Sequence, residues 1–131
     1  MTKVLILDED RSIRWTLATL FESQGHRVWQ AADSAGALEA LSAEPDIRLV
    51  LADDHPTGTS GLRLLESIRL RHPDTLVVLM SAYASIGTAI AAMKAGAFDY
   101  LTKPLSIDAL QRVSKRGLEA RTFPPPSGGT P

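Results

Sequence analysis

Cysteine is absent from the 131 residues. With it go disulfides, thiolate metal centres and a cysteine nucleophile. Histidine is scarce: His26, His55 and His72 lie far apart and show no ligand spacing. Formal net charge is −1, which gives no sign of a basic nucleic-acid surface or an acidic tail. No apolar run approaches the ~20 residues of a membrane span. The opening MTKVLILDED is too short and too acidic for a signal peptide. Internal repeats are missing as well. What remains is a chain of one domain's length, 44% hydrophobic, enough to build a single core. We expect a soluble, cytoplasmic protein or protein fragment.

Short apolar runs alternate with longer amphipathic segments. KVLIL (3–7), RVWQA (27–31), RLVLA (48–52), TLVVLM (75–80) and FDYL (98–101) predict five strands. The second is the least apolar, as suits an edge. Helices are predicted over 11–24, where Ile13, Leu17, Leu20 and Phe21 recur at helical spacing and Gly25 supplies the stop. Others run from a cap at Asp33 or Ser34 to Ala43, ended by Pro45, then over 61–71, over 85–94 with Gly96 as the stop, and from 108 to about 121. Such alternation means βαβ units and a parallel sheet covered on both faces. The expected architecture is α/β, a flavodoxin-like (βα)5 doubly wound sandwich of strand order 2-1-3-4-5, over residues 1–121. The tail TFPPPSGGTP (122–131) can extend neither a helix nor a core and reads as a Pro/Gly/Ser-rich linker. A linker there predicts a loose tail or, as we expect, a chain that is the front part of something longer.

In an open α/β sheet, ligands bind beyond the carboxyl ends of the strands, at the switch in strand order. Asp8, Glu9 and Asp10 follow the first strand, Asp53 and Asp54 the third, Ser81 the fourth and Lys103 the fifth. The expected order makes the first and third strands neighbours, so their acids meet, with Ser81 and Lys103 approaching from the other side. Crowded carboxylates repel unless a cation joins them. Oxygen ligands without His or Cys select a hard cation, and Mg²⁺ tolerates few carboxylates plus water. A carboxylate can also be a nucleophile and form an aspartyl phosphate. Mg²⁺, Lys103 and the Ser81 hydroxyl could stabilise the oxygens of that phosphoryl group. Each feature alone has a plainer reading: DED as a helix start, Ser81 as a cap, Asp53 as a turn former, Lys-Pro as a loop. Gathered at one sheet edge, they point to phosphoryl transfer onto an aspartate.

Residues 3–120 resemble the receiver (CheY-like) domain of two-component response regulators, in its nitrogen-regulator (NtrC-type) subgroup. VLILDEDRSIRW, LVLADDHPTGTSGLRLLESIR and LVVLMSAYAS carry the resemblance, and AMKAGAFDYLTKPLSIDAL carries it most specifically. The resemblance implies a non-enzymatic phosphorelay module that accepts a phosphoryl group from a sensor histidine kinase and switches a transcriptional effector. Counted back from Gly61 and Leu62, Asp53 matches the phospho-acceptor and Asp54 is a bystander. The metal set it implies for Mg²⁺ is Asp8, Glu9, Asp10, Asp53 and the backbone carbonyl of His55. Ser81 and Lys103 match the groups that meet the phosphoryl oxygens, Ser81 and Tyr100 match the switch pair, and Lys103–Pro104 matches a cis peptide. The implied output face is the fourth helix, fifth strand and fifth helix, where a partner or a second copy could pack as a homodimer. This domain itself would touch neither nucleic acid nor membrane.

The chain departs from the family pattern in three places. Glu9 stands where an Asp is usual. The loop HPTGTSG has Pro56 one position early and Ser60 in place of an acid. Asp54 adds a charge beside Asp53, expected to hinder a phosphodonor or to point to solvent. The departures motivate an alternative, a degenerate receiver that binds partners without phosphorylation. An enzyme reading, a phosphatase similar to the haloacid dehalogenase group, has the wrong order: there the second acidic pair follows the lysine, and here it precedes Lys103.

Overall fold

The computed structural model describes residues 2–54 and 60–119. Five strands, β1 (Lys3–Leu7), β2 (Arg27–Ala31), β3 (Leu49–Asp53), β4 (Leu76–Ser81) and β5 (Asp99–Thr102), alternate with five helices. The helices are α1 (Arg11–Ser23), α2 (Ser34–Ala43), α3 (Gly61–Arg71), α4 (Ile86–Lys94) and α5 (Ile107–Glu119). The strands pair in parallel in the order β2-β1-β3-β4-β5, as the alternation implied. The least apolar strand, β2, sits at an edge.

Successive residues of a strand point to opposite faces of the sheet. A run with no polar residue therefore fills two cores. Leu5, Leu7, Val50, Ala52, Val77 and Leu79 pack on one face with α2, α3 and Ala92 of α4. Val4, Ile6, Leu49, Leu51, Val78 and Met80 pack on the other with α1 and α5. No helix among the described residues is long and apolar enough to cross a membrane.

Helix starts follow from local side chains. Asp10 accepts from the N–H groups of Ser12 and Ile13 at the head of α1, and Asp33 rather than Ser34 caps α2. Ser60, which stands where the family pattern has an acid, caps α3 by accepting from the Arg63 N–H. At α4, Ser85 and Thr88 form a reciprocal capping box. Gly25 and Gly96 stop α1 and α4 with φ of 91° and 102°, a region closed to most side chains.

Three strands sit one residue further along than the apolar runs suggest. Patterning ends a strand at its last apolar residue, but a ladder is made by backbone groups and accepts polar side chains. Asp53 pairs with Met80, and Ser81 with Thr102. The acid and the hydroxyl are thus the last residues of β3 and β4, on rigid strands rather than in the loops after them. His55 and the linker 122–131 lie outside the described residues.

Candidate functional site

The carboxyl ends of β1, β3, β4 and β5 bring Asp8, Asp53, Ser81 and Lys103 to one edge, where the strand order reverses. Asp8, next after β1, is only 2% exposed. The Lys103 ammonium donates to Asp8 Oδ2 at 2.7 Å and to Asp53 Oδ1 at 3.3 Å. One cation thus joins the two acids. Burial alone would lower the Lys103 pKa, but the hydrogen bond and charge of Asp8, with Asp53 behind it, outweigh burial and hold it above the ordinary lysine range. Lys103 N–H also donates to the Ser81 carbonyl at 2.7 Å, and the Lys103–Pro104 peptide is cis, as the resemblance implied.

The other sequence-predicted residues are placed as follows. Asp10 uses one carboxylate oxygen to cap α1, and its own N–H donates to Asp8 Oδ1 at 2.9 Å. Glu9 is exposed at the mouth of the site. The Ser81 hydroxyl is buried and accepts from the Tyr83 N–H at 3.0 Å, so it is engaged with its own loop. Tyr100 is half-buried on β5. Among the described residues no three Asp, Glu, His or Cys side chains gather as a metal cage.

Asp54 is the largest departure from expectation. It is half-buried and does not simply point to solvent. In extended chain, neighbours face opposite ways, and here Asp53 meets Lys103 while Asp54 Oδ2 accepts from the Tyr100 hydroxyl at 3.0 Å. That hydroxyl also lies 3.2 Å from Thr88 Oγ1 on α4. The doubled charge is therefore split between two neighbourhoods. Asp54 N–H donates to the Met80 carbonyl, and its carbonyl accepts from Gly61 N–H at 2.8 Å. A Cβ on Gly61 would lie 2.6 Å from two Asp54 oxygens. Gly61→Ala is therefore expected to displace Asp54 and cost about 1–3 kcal/mol, read as a lower denaturant midpoint at unchanged slope.

Sequence reasoning also missed Arg14. Its guanidinium donates to the carbonyls of Asp8 (2.7 Å) and Glu9 (3.1 Å), bracing the acidic loop from the first turn of α1. Arg14 falls one helical turn beyond Asp10, a spacing that lets a long side chain fold back over the helix start. Thr88 was legible in principle, three residues after Ser85 in capping-box register.

The donor set suits a hard divalent cation. Two carboxylates converge on a cationic nitrogen, there is no sulfur and no imidazole, and oxygen ligands of this kind take Mg²⁺ or Ca²⁺.

The model of one family, the response regulator receiver domain, matches residues 4–115. The chain is 37% identical over 116 residues to the DNA-binding transcriptional regulator NtrC of Escherichia coli K12, covering 88% of this chain and 24% of that protein. A response regulator receiver domain protein from Clostridium thermocellum superposes with a TM-score of 0.84 at 28% identity, covering 90% of this chain and 94% of that one. A response regulator protein from Burkholderia pseudomallei, solved with a phosphorylated aspartic acid, a calcium ion and citrate, superposes with a TM-score of 0.78 at 31% identity, covering 91% of this chain and 72% of that one. The chain spans about a quarter of the length of the curated relatives it matches.

Proposed function

Since the chain belongs to the response regulator receiver family, whose members are phosphoryl-accepting regulatory domains, we propose that Asp53 is its phospho-acceptor and that the donor is a sensor histidine kinase working in the cytoplasm. The observation that carries this reading is the single ammonium of Lys103 bridging Asp8 and Asp53 at the sheet's switch point. A carboxylate oxygen of Asp53 attacks the phosphorus of a phosphohistidine. The P–O bond forms as the P–N bond breaks, and the electron pair leaves with the imidazole. Lys103, already 3.3 Å from Asp53, neutralises charge on the transferring oxygens. Ser81 releases the Tyr83 N–H and turns its hydroxyl to the phosphoryl group.

Asp8 and Asp53, with the His55 carbonyl, would hold Mg²⁺. When bound, this ion offsets the negative charge of donor and acceptor. Glu9 stands at the rim of that set, and Asp10 supports it through the cap of α1. Residues 1–121 then form the receiver and 122–131 the linker to an effector, a transcriptional one by analogy with the relatives. The readout face is α4–β5–α5, where Ile86, Ile90 and Met93 form an exposed apolar stripe that a second copy would cover. A receiver that ignores phosphate is not favoured: the receiver family model matches residues 4–115, and a structural relative at 31% identity was solved with a phosphorylated aspartic acid.

Intact-mass spectrometry after acetyl phosphate with Mg²⁺ tests the proposal. The expected result is a single phosphoryl adduct on the wild type and none on Asp53→Ala. An equal adduct on the variant, or none on the wild type, would overturn it.

A further inference from the structure

We infer that Asp54 is a positioning residue that tethers Tyr100 and the start of α4 to the end of β3, so that events at Asp53 reach the α4 face through it. The inference rests on the phospho-acceptor reading for its purpose, but the tether itself stands on geometry. Three segments bond Asp54 directly, and a fourth is reached through Tyr100. Its N–H is held by β4 and its carbonyl by Gly61 at the head of α3. Its carboxylate holds the Tyr100 hydroxyl of β5, which in turn meets Thr88 of α4. Thr88 is not a passive end point. Its hydroxyl accepts from the Ser85 N–H at 2.9 Å and so belongs to the capping box that starts α4.

The helix at the far end of this chain of bonds is weakly docked. Among α4's residues Ala92 alone is buried, while Ile86, Ile90 and Met93 are exposed. An element with so little apolar anchorage opens locally at low free energy. Its position then depends on polar tethers, and Asp54–Tyr100–Thr88 is such a tether. Room for movement exists beside it: a cavity of about 240 Å³ is lined by Asp54, Gly61, Gly87, Thr88 and Ala91. Because Asp54 is bonded to Asp53 through one peptide and faces away from Lys103, a shift of the β3 end on phosphorylation moves the acceptor of the tether without entering the reacting site.

Hydrogen–deuterium exchange along α4 tests the tether in the metal-free chain. Losing one net hydrogen bond is expected to speed exchange at the α4 amides about fivefold in Asp54→Ala. Tyr100→Phe, which keeps the ring, should match it, and the double variant should add nothing further. Asp54→Asn keeps an oxygen acceptor and should stay near the wild type. Unchanged exchange in Asp54→Ala, or effects of the two variants that add, would overturn the inference. Beryllofluoride with Mg²⁺ supplies the second arm. It should alter α4 exchange in the wild type and much less in Asp54→Ala, while protecting the Asp53 neighbourhood in both. A wild type that does not respond to beryllofluoride counts against the phospho-acceptor reading alone, since the metal-free comparison decides the tether.

Discussion

Lys103→Met lowers the unfolding free energy by about 3 kcal/mol in metal-free buffer, read as a lower urea midpoint. Asp8 is 2% exposed and Lys103 16%, so their pair is largely withdrawn from water. Methionine keeps much of the lysine's length and apolar stem but removes the charge. Two carboxylates are then left together without a cation. Deleting one partner of a buried pair typically costs about 3–5 kcal/mol, because the survivor stays desolvated. The low end applies here, since the site opens to solvent beside Glu9 and Asp10. If the acids hold Mg²⁺ as proposed, adding it is expected to return part of the loss by mass action, and to stabilise the variant more than the wild type, in which Lys103 already occupies the acids. The pH dependence has a definite sign. The folded pKa of Lys103 lies above its unfolded value, so the pair's contribution is complete below roughly pH 10.4 and fades as pH climbs through the folded pKa. The gap between wild type and variant should therefore be flat near neutrality and close at the alkaline end. A gap that persists there would assign the loss to packing rather than charge.

How far such a site can be read without coordinates depends on whether the signal is local. Asp8, Asp53, Ser81 and Lys103 each follow an apolar run, and a parallel sheet delivers all run ends of that kind to one edge. Their meeting was legible because topology alone enforces it. The bonds of Asp54 were not. Tyr100 lies 46 residues away and Thr88 on another element, so no spacing or periodicity joins them. The sign of Asp54's role depended on which way one side chain turns at the end of β3. Asp10 was ambiguous for a different reason: an acid at a helix start fits both a metal ligand and a cap, and the structure shows the cap, made to the N–H groups of Ser12 and Ile13. The strand ends shifted by one residue because hydrophobicity marks burial, whereas the ladder is a backbone property that Asp53 and Ser81 can join.

The second large effect separates core from exposed surface. Phe21→Ala is expected to remove about 3–5 kcal/mol of stability, a large share of the roughly 5–15 kcal/mol that holds an ordinary domain together. Phe21 is 1% exposed and packs from α1 against the face that carries Val4, Ile6, Leu49 and Leu51. Its loss leaves a cavity beneath the helix whose head is capped by Asp10 and whose Arg14 braces the Asp8 and Glu9 carbonyls. Phosphoryl acceptance should therefore weaken in step with stability as α1 loosens its grip on the acidic loop. Ile86→Ala makes the contrast. It trims an apolar side chain of similar kind, but Ile86 is 81% exposed at the start of α4. Its truncation should change unfolding by no more than about 0.5 kcal/mol and leave acetyl phosphate labelling intact, while weakening whatever docks on the α4 face. Measured side by side by urea melts, a cost for Ile86→Ala equal to that for Phe21→Ala would mean that α4 is core, and would remove the grounds for treating its stripe as the surface that reads the state of Asp53.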